Sequence, residues 1–154
     1  MYFFERRDNS IKDHDESAER AWTVERIINP VNPIEPTTSC AGAMRMLATF
    51  DGRLSLPVVS AGRPLALLSR RLFLTSYSQP LVQAVFERRP IQRFLESIGG
   101  NVAPLVVEAS LSLDDLKELI TTKFPEAVVD GFVIVRDGVY VGVACGADVL
   151  GSAL

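Results

Sequence analysis

Leu56-Pro57-Val58-Val59-Ser60-Ala61-Gly62-Arg63-Pro64-Leu65-Ala66-Leu67-Leu68-Ser69 is the stretch that decides the fold, because the chain repeats its pattern without a gap at Phe132-Val133-Ile134-Val135-Arg136-Asp137-Gly138-Val139-Tyr140-Val141-Gly142-Val143-Ala144-Cys145. Each copy is an apolar run, a turn with glycine in its second position, a second apolar run, and a small residue where a helix can begin. Short apolar runs joined by two turn residues read as a hairpin. A small residue after the second run suits a helix N-cap.

Working outward, each hairpin has similar neighbours. Before the second copy, Leu105-Val106-Val107 reads as a strand. Ser112 then caps a helix whose apolar stripe is Leu113, Leu116, Leu119 and Ile120, with Asp114 and Asp115 in its first turn. Before the first copy, Ile27 to Glu35 reads as an extended entry broken by Pro30, Pro33 and Pro36. Thr38 or Ser39 caps a helix carrying Ala43, Met44, Met46 and Leu47, and Asp51-Gly52 ends it. After the hairpins, Ser69 opens a helix to about Tyr77, helical stretches flank Pro90, and Gly146 opens a helix to the end. The order strand-helix-strand-strand-helix thus occurs twice, an α/β (α+β) pattern. One copy is too small to bury its own sheet, so two should pack with pseudo-twofold symmetry. The divisions expected are a charged N-terminal arm over 1–25, partly helical or disordered, a first repeat with a linking helix over 26–98, and a second repeat over 99–154. Within the arm, Asp13 to Arg26 could form an amphipathic helix bearing Trp22.

Composition narrows the function classes. The 154 residues carry a net charge of −3, with 47% hydrophobic and 23% charged residues, which describes a globular chain without a basic field for nucleic acid or an anionic membrane. The apolar opening Tyr2-Phe3-Phe4 is cut short by Glu5, Arg6 and Arg7, so neither a secretory signal nor a membrane span is expected. Cys40 and Cys145 are two distant cysteines, read as free thiols of a cytoplasmic protein without a metal site. The single histidine, His14, lies in the charged arm. No nucleophile–base pair or phosphate loop indicates an enzyme.

The repeated order, and the phrases Gly142-Val143-Ala144-Cys145-Gly146-Ala147-Asp148 and Ala66-Leu67-Leu68-Ser69-Arg70-Arg71-Leu72, resemble the CBS domain family, whose repeats come in tandem as a Bateman module. Pro57-Val58-Val59, Gly62-Arg63-Pro64 and Arg88-Arg89-Pro90-Ile91 resemble CBS pairs attached to bacterial diguanylate cyclase (GGDEF) or related signalling domains. The resemblance implies a non-enzymatic regulatory module, commonly a homodimer, that binds AMP, ADP, ATP or S-adenosylmethionine between its repeats and regulates an attached or partner domain. It also implies roles for particular residues. Asp148 would accept hydrogen bonds from ribose hydroxyls, Ser69 and the helix-start amides would face phosphate, and Arg70 and Arg71 could clamp it. Gly142, Cys145 and Gly146 would line the second copy's part of the site.

Each copy departs from the family pattern: Leu72 stands where the ribose carboxylate belongs, and Cys145 where the hydroxyl belongs. The residues also admit plainer roles. Asp148 in a first helical turn stabilises that helix unaided, Ser69 is a good N-cap, and Cys145 is a small apolar side chain. The alternative function is therefore a structural homodimerisation module whose nucleotide site has been lost.

Overall fold

A computed structural model describes residues 2–4, 22–49, 55–97 and 103–151. The first hairpin is β2 (Ser55–Ser60) and β3 (Arg63–Ser69); the second is β5 (Phe132–Arg136) and β6 (Val139–Ala144). Their likeness extends to detail. Each antiparallel ladder slips at the same point, between Val58 and Val59 in one copy and between Ile134 and Val135 in the other. Each turn has two residues of positive φ, Ala61 (51°) with Gly62 (79°) and Asp137 (52°) with Gly138 (79°). Two positive φ values make a type I′ turn, whose twist matches that of the strands it joins.

The preceding elements match less well. In the second repeat, β4 (Leu105–Glu108) runs parallel to β5, and α5 (Leu113–Lys123) crosses between them. In the first repeat the expected strand shrinks to one parallel bridge at Ile34, whose N–H donates to Pro57 O at 2.9 Å and whose carbonyl accepts from Val59 N at 2.8 Å. Pro33 and Pro36 flank Ile34 and have no N–H to give a ladder. The helix that follows, α1 (Cys40–Thr49), is capped by Ser39 Oγ, which accepts from Gly42 N at 3.0 Å. After β3 come α2 (Arg70–Tyr77), α3 (Pro80–Phe86) and α4 (Ile91–Ser97). The second repeat adds α6 (Ala127–Asp130), a short helix absent from the sequence expectation, and ends with α7 (Gly146–Gly151).

Three buried clusters explain why the repeats hold together. Repeat one has a core around Leu56, Leu68, Phe73, Tyr77, Ile91 and Phe94, with Phe94 meeting Phe73, Tyr77 and Phe86 edge-on. Burial there pushes the Cys40 thiol up to about 11, so it stays protonated and packs as a small apolar group. Repeat two has its own core around Leu111, Leu116, Ile120, Phe132 and Ile134. Between them lies a third cluster, in which Leu67 of one hairpin meets Val133, Val135 and Val143 of the other, with Val31 and Val106.

The N-terminal part departs from the expected arm. Tyr2–Phe4 form a strand, β1, paired in parallel with β4 (Tyr2 opposite Leu105, Phe4 opposite Val107), so the larger sheet runs β1-β4-β5-β6. Residues 5–21, which include His14 and most of the expected helix, lie outside the described residues. Val24–Ile27 form a 3-10 turn rather than the end of an α-helix. Val24 is fully buried in the second repeat's core, and its N–H donates to Leu111 O at 2.9 Å. Asn29 exchanges two 3.0 Å backbone hydrogen bonds with Val143. The chain thus touches the second repeat first, then turns back at Val31 to build the first. Among the described residues, no helix is long and apolar enough to cross a membrane.

Candidate functional site

Where the two repeats meet, a cleft of about 600 Å³ opens, within the range of small-molecule sites. The first repeat supplies Leu67, Ser69, Arg71 and Leu72; the second supplies Leu105, Lys123, Phe124, Ala127 and Asp130. Side chains of Leu67, Leu72, Leu105, Phe124 and Ala127 give it apolar walls. Arg71, Lys123, Glu126 and Asp130 give it charge of both signs.

Ser69 enters the cleft as the last residue of β3 and the N-cap of α2. It is buried, its Oγ accepts from Leu72 N at 3.4 Å, and the same hydroxyl donates to Asp130 Oδ1 at 3.0 Å. Arg71 Nη2 lies 3.5 Å from both Asp130 oxygens. Asp130 reaches this position from the opposite repeat, as the last residue of α6. Gly131 then turns the chain into β5 with a φ of +86°, and a Cβ there would lie 2.9 Å from Ala144 O. Glycine is therefore needed twice over, for its conformation and for its lack of a side chain.

The expected residues are thus brought together only in part. Ser69 and Arg71 line the cleft, while Arg70 beside them is half-buried and does not. Gly142, Cys145, Gly146 and Asp148 do not line it either. The Asp148 carboxylate accepts from Cys145 N at 2.9 Å, closing the first turn of α7. The two glycines are packing residues: a Cβ on Gly142 would lie 2.6 Å from Asn29 O, and one on Gly146 would lie 2.6 Å from Val128 Cα. Cys145 and Cys40 are both free. Asp130 lines the cleft although it is not among the residues expected there. Its only trace in the sequence is an acid directly before a glycine at a strand entrance, a pair that ordinarily marks a turn. Among the described residues, no cluster of His, Cys, Asp or Glu could hold a metal.

This architecture, two hairpin-and-helix units sharing a seam and a cleft, is the tandem CBS-domain fold. Solved structures that share it include CBSX2 in complex with AMP, 23% identical, covering 86% of this chain and 96% of that one with a TM-score of 0.60. A CBS-domain containing protein from Agrobacterium tumefaciens is 15% identical, with coverage of 86% and 99% and a TM-score of 0.61. The CBS domains of a transcriptional regulator from Streptococcus pneumoniae are 12% identical, with coverage of 84% and 97% and a TM-score of 0.63. At these identities the likeness is one of fold. No protein-family model matches the chain, and no curated protein matches it.

Proposed function

We infer that the chain is a non-enzymatic regulatory module that takes an adenine-type nucleoside or nucleotide between its repeats. The observation that carries this reading is the cleft itself, because both repeats build its walls. A ligand filling it binds one relative placement of the repeats more tightly than others, and so shifts that equilibrium. The apolar walls suit a purine ring, and the polar edge at Ser69, Arg71 and Asp130 suits a ribose and its substituents. The AMP held by CBSX2, a protein of the same fold, supports the ligand class. The output would pass to an attached or partner signalling domain, of which a diguanylate cyclase is one candidate, in a cytoplasmic homodimer.

A thermal-shift screen against adenosine, AMP, ADP, ATP and S-adenosylmethionine tests this. A ligand at a hundred times its dissociation constant adds about 2.7 kcal/mol, or roughly 5–10 °C for a chain of this size. Leu72→Trp, which fills the cleft from its α2 wall, should abolish the rise. A flat response to all five at millimolar concentration would sink the ligand reading. The second reading, a structural homodimerisation module, is favoured by Asp148, whose carboxylate is engaged with its own helix. It predicts that flat response together with a dimer in light scattering.

A further inference from the structure

Ser69 and Arg71 are the cleft groups best suited to hold a phosphate: a hydroxyl at a helix start and a guanidinium. Both already face an anion that belongs to the chain. Ser69 Oγ donates to Asp130 Oδ1 at 3.0 Å, and Arg71 Nη2 approaches both carboxylate oxygens at 3.5 Å. The carboxylate is well placed to stay there. Its side chain is only 24% exposed, and the Gly131 N–H behind it donates to Ala127 O at 3.1 Å, closing α6 onto the turn. The charges lining the cleft also balance, with Arg71 and Lys123 set against Glu126 and Asp130. A phosphate entering beside Ser69 would either displace Asp130 or sit next to a like charge in a partly desolvated site, where repulsion is strong.

We propose that Asp130 is an internal anion that occupies the cleft's phosphate-facing groups, so that the cleft prefers an adenine nucleoside lacking phosphate, neutral or cationic, over a nucleotide. The ligand class rests on the function inferred above; the occupation of Ser69 and Arg71 by a carboxylate does not. Removing the charge while keeping the oxygen that Ser69 donates to turns the balanced cleft into one with a spare positive charge, and phosphate should then be accepted.

The test is calorimetric titration of the full chain and of Asp130→Asn with adenosine, AMP and inorganic pyrophosphate. The native protein should bind adenosine at least tenfold more tightly than AMP. Asp130→Asn should tighten AMP at least tenfold and change adenosine less than threefold. It should also gain pyrophosphate binding, lost again when Arg71→Ala is added. Should Asp130→Asn not fold, Asp130→Ser is read in the same way. AMP binding the native protein as tightly as adenosine would overturn the preference. No pyrophosphate gain would overturn the internal anion and leave Asp130 as a tie between the repeats. If neither adenosine nor AMP binds either protein, the inferred function and the ligand class fall together, while the pyrophosphate result still decides the internal anion.

Discussion

The starts of α2 and α7 occupy equivalent places in the two repeats, yet they divide between them a device that one helix usually holds entire. A capping box pairs a hydroxyl at the N-cap with an acid three residues on, each bonding the other's backbone N–H. In the first repeat the hydroxyl is present, and Ser69 Oγ accepts from Leu72 N, but Leu72 has nothing to return. In the second the acid is present, and Asp148 bonds Cys145 N, but Cys145 has no hydroxyl. The helix starts therefore have different freedoms. Ser69 keeps its proton for a partner across the cleft and finds Asp130. Asp148 is spent on its own turn. One backbone plan thus yields an outward-facing polar group in one repeat and an inward-facing one in the other.

The strongest challenge to treating the repeats as comparable halves of one unit is a deletion in one core. Phe94→Ala should cost about 3–5 kcal/mol and Leu116→Ala about 2–5 kcal/mol. Because the Leu67–Val133–Val143 cluster joins the halves, each variant should still unfold in one transition by urea titration. Two separated transitions would show that the seam does not couple them.

A smaller effect probes the difference at the first helical residue, Arg70 in one copy and Gly146 in the other. Gly146→Ala places a Cβ against Val128 backbone and should cost about 1–3 kcal/mol by overpacking. Arg70→Gly should cost no more than about 1 kcal/mol, the propensity difference alone. Equal losses of melting temperature would remove the distinction between the two helix starts.

The smallest expected change sharpens the split capping box. Asp148→Ala should lower stability by about 0.3–1 kcal/mol through loss of a first-turn carboxylate that meets the Cys145 N–H, and Asp148→Asn should recover part of that. If Asp148→Ala instead weakened a nucleoside without touching stability, the carboxylate would belong to a ligand and not to its helix.

The hairpins were legible because their signals are local: apolar runs, turn residues and a following cap lie within fourteen positions. The Leu113–Ile120 stripe was legible for the same reason, as a helical period in one stretch. What escaped depends on distant partners. Tyr2–Phe4 is three residues long and is a strand only because β4 offers an edge. α6 has four residues, too few to display a period. Asp130 acquires its meaning from Ser69 and Arg71, some sixty positions earlier. At Ile34 the sequence pattern promised more than the backbone delivers, since neighbouring prolines leave it a single bridge. Asp148 was visible as a residue, but a helix-start carboxylate and a ligand carboxylate share one sequence signature.

The stretch from Trp22 to Asn29 has a consequence for how the molecule is made. It docks on Leu111, Leu113 and Val143, residues the ribosome adds more than eighty positions later. During synthesis the first repeat can close its aromatic core while this stretch waits without a surface. Only when β6 has emerged is the whole of its docking surface present, so its docking is a long loop closure, slow relative to local hairpins. Emergence of the second repeat, and not completion of the first, then marks the moment at which the cleft acquires its second wall.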